Sequence, residues 1–152
     1  MKLNKQWLAG FLDGEGSFGI CRRKQFNGKK LDGRYYYMPF VAVSQAGKEN
    51  LWILKELKNE FGEGIYDYKR SNWSSKWKPA WKWSITNSRA VEFSQWIKDD
   101  LLVKKQQAEI LAQYPLFLRA GHTRTDEECQ AQEEAYQKLK KLNQRGIATA
   151  EA

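Results

Sequence analysis

Long apolar runs are missing from this 152-residue chain. No stretch approaches the roughly 20 apolar residues that a membrane-spanning helix needs, and no basic segment followed by an apolar one opens it. An intracellular protein with no membrane partner is therefore expected, with prokaryotic cytoplasm and organelle both left open. Cysteine is scarce: Cys21 and Cys129 lie far apart without paired spacing, which excludes a disulfide framework and a zinc knuckle. Histidine is scarcer still. His122 alone, between Gly121 and Thr123, excludes a multi-histidine metal site and argues against a histidine-based nucleophilic triad, and it reads as a loop residue. Acid is short relative to base, 18 Asp and Glu against 26 Lys and Arg, for a net charge of +8. Such an excess favours a polyanionic partner, nucleic acid above all. The length suits one domain, 1–152, with a real core.

The remaining chain is organised around residues 7–18. Leu8, Phe11 and Leu12 recur at helical spacing with Ala9 and Gly10 beside them, and Gly14 and Gly16 stop the helix before an alternating run begins at Ser17. Glycine inside a helix costs about 1 kcal/mol relative to alanine. Gly10 therefore needs a reason, and close approach of a second backbone is the physical one. Two such helices packed together would bring Asp13 and Glu15 near their counterparts, where carboxylates and negative helix ends repel unless a cation neutralises them. Oxygen ligands and a phosphate substrate favour Mg²⁺, a divalent cation for which Mn²⁺ or Ca²⁺ can substitute in binding.

Periodicity then predicts helix, hairpin, helix, hairpin, helices. A first helix covers 3–14. A strand from Ser17 puts Phe18 and Ile20 on one face and Gly19, Cys21, Arg23 and Gln25 on the other. Asn27-Gly28 and Asp32-Gly33 mark a longish turn region. A return strand over 35–45 puts Tyr36 and Met38 on the open side, with Pro39 implying an edge or a bulge. A helix over 48–61 ends at Gly62. A second hairpin, 64–70 and 78–86, is expected to cover Tyr66, Tyr68, Trp81, Trp83 and Ile85 and to expose Asp67, Lys69, Lys78, Lys82 and Ser84. The loop 71–77 between its strands carries Trp73 and Trp77. Asn87 or Ser88 should cap a helix to 98, another spans 103–114 before Pro115, and Thr125 should cap a last one over 126–143, with a frayed tail from Arg145. The sum is an α+β fold, one four-stranded antiparallel sheet covered by helices on one face, plus C-terminal helices. Arg23, Lys69, Lys78 and Lys82, with Gln25 and Ser84, suit phosphate contacts and base-edge hydrogen bonds on the open face. Most of the Trp and Tyr residues fall at covered positions and are assigned to the core.

The nine residues Leu8-Ala9-Gly10-Phe11-Leu12-Asp13-Gly14-Glu15-Gly16 resemble the motif of the LAGLIDADG homing endonucleases, here present once. Family members with one motif are homodimers, and those with two are longer pseudosymmetric monomers. The resemblance thus implies a homodimeric, intron-encoded type of endonuclease that cuts double-stranded DNA at a long, near-palindromic site. It also implies an αββαββα core over about 1–115 whose saddle-shaped open sheet lies in the major groove. It says little about a helical extension at about 116–145. It makes Glu15 the metal ligand, with the Gly14 carbonyl beside it, and places Leu8, Ala9, Gly10, Leu12 and Asp13 at the dimer interface, Asp13 capping and orienting the helix ends. By the same resemblance, Gln45 in Val43-Ser44-Gln45 and Lys104 in Lys104-Lys105-Gln106-Gln107-Ala108 assist the catalytic solvent. A basic residue about four places after that Gln would fall at Lys48 or at Glu49, which is not basic. The open face, with Cys21, Tyr36 and Met38 added, becomes the DNA contact. Two other uses of the same fold stay open: an RNA-splicing maturase bound to intron RNA, and a DNA-binding regulator without cleavage.

Overall fold

The computed structural model describes residues 3–27, 30–67, 76, 78–117 and 124–144, with backbone alone for 25–27, 30–34, 66 and 67. Helix α1, Lys5–Glu15, starts where the Asn4 side chain accepts the Trp7 amide proton at 2.9 Å. It buries Leu8, Ala9 and Leu12. Gly16 follows at once: a Cβ there would come within 2.9 Å of the Leu12 carbonyl oxygen, so only glycine lets the chain turn out of the helix so sharply into a strand.

Strand β1, Gly16–Asn27, pairs antiparallel with β2, Lys30–Ala46. A short 3-10 turn, Lys48–Asn50, leads into α2, Leu51–Phe61, which Gly62 ends at φ 86°. Strands β3, Ile65–Asp67, and β4, Ala80–Thr86, follow, then α3, Asn87–Ile97, α4, Lys105–Ala112, and α5, Asp126–Asn143. The four strands form one antiparallel sheet in the order β1-β2-β4-β3. One sheet face, with Phe18, Val41, Val43, Trp83 and Ile85, packs on Leu8, Leu12, Leu54, Leu57, Ile97 and Leu111 from the helices. Trp83 is fully buried, and its indole N–H donates to the Gly62 carbonyl at 3.0 Å, so its ring nitrogen is paired inside the core. The α+β architecture expected from the periodicity is thus the observed one.

Several local expectations are corrected. β2 begins at Lys30, leaving only positions 28 and 29 between the strands, so Asp32-Gly33 lies inside a strand and not in a turn. The Asp32-Gly33 turn signal is thus overridden by strand pairing. The register irregularity falls between Lys24 and Phe26, away from Pro39. β2 is an inner strand, and it tolerates Pro39 because its ladder with β4 stops one residue short, at Phe40 opposite Thr86. No second neighbour there asks for an amide proton. In β3 the register sets Tyr66 opposite Lys82 and Asp67 opposite Trp81, the reverse of the expected parity. Ile65, opposite buried Trp83, sets the phase, and tyrosine, being amphipathic, is a poor marker of which face is covered. Helix α3 has Thr86 as its N-cap without a side-chain hydrogen bond, and Asn87 is its first residue, at φ 52°. Helix α5 matches its expected bounds, with the Thr125 hydroxyl accepting the Glu128 amide proton at 3.1 Å. His122, the loop 71–77 apart from Lys76, and the tail from 145 lie outside the described residues.

Candidate active site

Three chain segments converge at the C-terminal end of α1. Glu15 is the last helical residue and is exposed, and the Gln45 side-chain amide donates to its carboxylate at 3.2 Å. Gln45 is placed by the β1–β2 ladder, in which Gly16 lies opposite Val43, and its amide also donates to the Ser44 carbonyl at 2.9 Å. From the other side Lys104 brings its ammonium to the Leu12 carbonyl at 3.2 Å and to the Gly16 carbonyl. The resemblance implies Glu15, Gln45 and Lys104 together, and the fold brings all three to the end of α1. Lys104 is not part of a solvated basic pair: it caps the negative end of α1, where orphan carbonyls and the helix dipole both favour a cation.

Asp13 does different work from Glu15. Its carboxylate accepts the backbone amides of Leu102, Val103 and Lys104 at 2.9, 3.0 and 2.9 Å. This tie delays the start of α4 to Lys105 and fixes the residue that delivers the Lys104 ammonium. The expectation that Asp13 caps and orients backbone at the helix end agrees with these bonds, all made within its own chain. Leu8, Ala9 and Leu12, which the resemblance sets at the interface, are 0, 1 and 0% exposed in the single chain and pack in its own core. The outward side of α1 instead carries Trp7 and the exposed Gly10 and Gly14, with Trp7 stacked on Phe11 at 5.3 Å. A Cβ added at Gly10 or Gly14 would meet nothing within 4 Å, so no contact among the described residues accounts for either glycine. Beside this face, Leu102 and Val103 are 88 and 72% exposed.

For a divalent cation the donors are oxygen-only and few. Among the described residues no group of three or more His, Cys, Asp or Glu side chains forms a metal cluster. With Asp13 spent on amides, a single chain offers the Glu15 carboxylate and the Gly14 carbonyl at the helix end. This fits a hard cation only as part of a shared site completed by phosphate oxygens, water or a second chain.

The open side of the sheet carries Arg23 opposite Tyr36, Cys21 opposite Met38, and, in the β2–β4 ladder, Lys82 opposite Ser44 and Ser84 opposite Ala42. Arg23 and Tyr36 are exposed, while Cys21, Met38, Lys82 and Ser84 are partly covered. The centre is drier. Phe40 lies over Gly19, where an added Cβ would come within 2.5 Å of the ring, and the Lys82 ammonium sits 5.9 Å from the same ring. Lys78 is exposed just before β4 and pairs with Glu49 at 3.3 Å. The Glu49 carboxyl is held below its usual range by its own backbone amide first and by Lys78 second. Lys48 is exposed in the 3-10 turn. The Gln25 side chain and all of Lys69 lie outside the described residues.

The sequence pattern of the LAGLIDADG endonuclease family matches residues 8–93. Among solved structures, the chain is similar to the homing endonuclease I-TnaI, with 20% identity, 99% of this chain and 95% of that one covered, and a TM-score of 0.67. It is similar to the archaeal intron-encoded homing endonuclease I-Vdi141I complexed with DNA, with 18% identity, coverage of 94% and 86%, and a TM-score of 0.69. A third similar structure is the homing endonuclease I-CvuI in complex with its target in the presence of calcium, with 17% identity, coverage of 94% and 83%, and a TM-score of 0.64. No curated protein matches the sequence.

Proposed function

This chain belongs to the LAGLIDADG family of DNA endonucleases, and from that premise we propose that it acts as a homodimer, cutting both strands of a long, near-palindromic duplex with a divalent cation at Glu15. The observation that carries the reading is the convergence of an exposed Glu15 carboxylate, the Gln45 amide at 3.2 Å from it and the Lys104 ammonium on the adjoining carbonyls. A divalent cation, Mg²⁺ in this reading, would polarise the scissile phosphate and acidify attacking water. The chain's own groups do the rest. Gln45 orients the Glu15 carboxylate. Lys104 cancels the negative end of α1, where a phosphate must approach, and Asp13 holds the backbone that positions Lys104. Arg23, Tyr36, Lys82 and Ser84 present the polar groups that would meet phosphates and base edges.

Glu15→Gln tests the reading. In single-turnover cleavage of a cognate duplex with Mg²⁺, and with EDTA as control, the variant should lose strand scission by orders of magnitude while keeping DNA affinity and its thermal midpoint. Near-normal cleavage by the variant would overturn the role of Glu15. A wild-type protein that binds duplex tightly and leaves it intact in Mg²⁺ would turn the reading to a binder that does not cleave.

A further inference from the structure

Beyond Pro39 the β1–β2 hairpin loses its second neighbour, because the β2–β4 ladder ends at Phe40 opposite Thr86. From there outward it is a two-stranded ribbon, an arrangement marginal in water without something packed on it. This ribbon carries Arg23 and Tyr36, exposed and directly opposite each other. It also carries two arginines in succession, Arg22 and Arg23, and a one-residue slip of register would exchange the face each one presents.

Helix α5 provides what decides between them. Arg22 turns to the helical side, where its guanidinium lies 4.3 Å from the Tyr35 ring centre and 4.5 Å from that of Tyr136, and donates to the Glu133 carboxylate at 2.6 Å. The other Glu133 oxygen accepts the Tyr37 hydroxyl proton from the opposite strand of the ribbon. One carboxylate on α5 therefore grips both strands. The helix is itself anchored at both ends. Gln132 donates to the Pro115 carbonyl at 3.0 Å, Arg124 donates to the Tyr35 carbonyl, and Asn143 donates to the Phe18 carbonyl at 3.0 Å.

We propose that Glu133 is a positioning residue for target recognition: by holding Arg22 and Tyr37 against α5 it fixes the face and twist of the ribbon, and so aims Arg23 and Tyr36 at the DNA. The inference rests on the reading of the open face as the DNA contact. It assigns Glu133 no part in the chemistry, which lies at the other end of β1.

The test compares Glu133→Ala, Glu133→Gln and Arg22→Met, the last keeping an apolar stem between the two tyrosine rings. Kd for the cognate duplex should rise about tenfold in Glu133→Ala, and discrimination against base-pair changes in the outer part of each half-site should fall by about as much. The first-order cleavage rate at saturating protein should stay within about twofold. Glu133→Gln, which keeps one acceptor, should fall between Glu133→Ala and the native chain. Hydrogen exchange of the amides at 20–24 and 35–38 should speed up in Glu133→Ala while that of β4 does not, and this readout holds for any variant that folds. Unchanged affinity, discrimination and ribbon exchange in Glu133→Ala and Arg22→Met would overturn the inference. So would a parallel loss of binding, cleavage rate and β4 protection, the mark of general unfolding. A native protein that fails to bind any duplex would overturn the DNA reading itself, a result distinct from these.

Discussion

Asp13 and Glu15 are separated by one glycine and end the same helix, yet their surroundings give them opposite tasks. Three backbone amides point into Asp13, while one side-chain amide at 3.2 Å reaches Glu15. A carboxylate saturated by amides is structural, and one left open at a helix end is free to serve a ligand. Truncating Asp13→Ala should cost about 1–2 kcal/mol, since water can reach the freed amides at this exposed turn. It should also slow cleavage, because Lys104 is the third residue the carboxylate holds. Asp13→Asn should be milder. Oδ1, which accepts from Val103 and Lys104, has a counterpart in asparagine, and only the Leu102 amide is set against a donor. Thermal melts beside single-turnover rates check this: Asp13→Ala should move both readouts, whereas Glu15→Gln should move the rate alone. Equal melting of Asp13→Ala and the native chain would remove the structural role.

At the scale of elements, the α1-to-β1 switch, the Gly62 stop and the Thr125 cap were legible because each rests on local chemistry: periodicity, a left-handed glycine, a hydroxyl facing free amides. The register of β3 was not, because tertiary pairing with Trp83 set a phase that Tyr66 and Tyr68 could not announce. The role of α5 also escaped, although one signal was present: Arg22 falls at the covered parity set by Phe18 and Ile20, and a charge there demands a partner from another element. That partnership makes the docking of α5 depend on pH. Partial burial pushes the Glu133 carboxyl up, but hydrogen bonds from Tyr37 and Gln137 and the charge of Arg22 outweigh it and hold the group below its ordinary 4.5. A lowered carboxyl adds stability that is present above the ordinary value and lost as pH falls through the folded one. Burial first, then the hydrogen bond to Glu133, raises the Tyr37 hydroxyl above its ordinary 10.0. Its contribution is complete below that value and lost as pH climbs toward the raised one. Docking should therefore be firm from about pH 5 to pH 9 and weaken on either side. Amide exchange in α5 at pH 4 and pH 7, corrected for intrinsic rates, should show less protection at pH 4 in the native chain. The difference should shrink in Glu133→Gln, and an equal difference in both would place the acid-sensitive group elsewhere.

For the whole molecule the question is why α1 keeps glycine at positions 10 and 14. Among the described residues the helix is completed without them: Leu8, Ala9 and Leu12 fill the core, and a Cβ at either glycine would touch nothing. A lone subunit thus gives up about 1 kcal/mol at Gly10, in the helix interior, for no contact among the described residues. The outward face beside them is apolar, with Trp7 near Trp52 at 6.5 Å and Leu102 and Val103 exposed close to the helix end. Close approach of a second α1 would account for the glycines, cover these side chains and bring two Glu15 carboxylates toward one another, completing the cation site that a single chain only begins. Gly10→Ala separates the possibilities by sign. If the helix meets a partner backbone, the methyl group should weaken dimerisation at least tenfold in sedimentation equilibrium, while the dissociated subunit, in dilute solution, melts with about 0.5–1 kcal/mol more stability than the native one. Gly10→Leu should leave a folded monomer unable to cut both strands. If the face is free, Gly10→Ala should stabilise the protein at every concentration and leave its mass and activity unchanged, and the two-fold reading of this helix would fall.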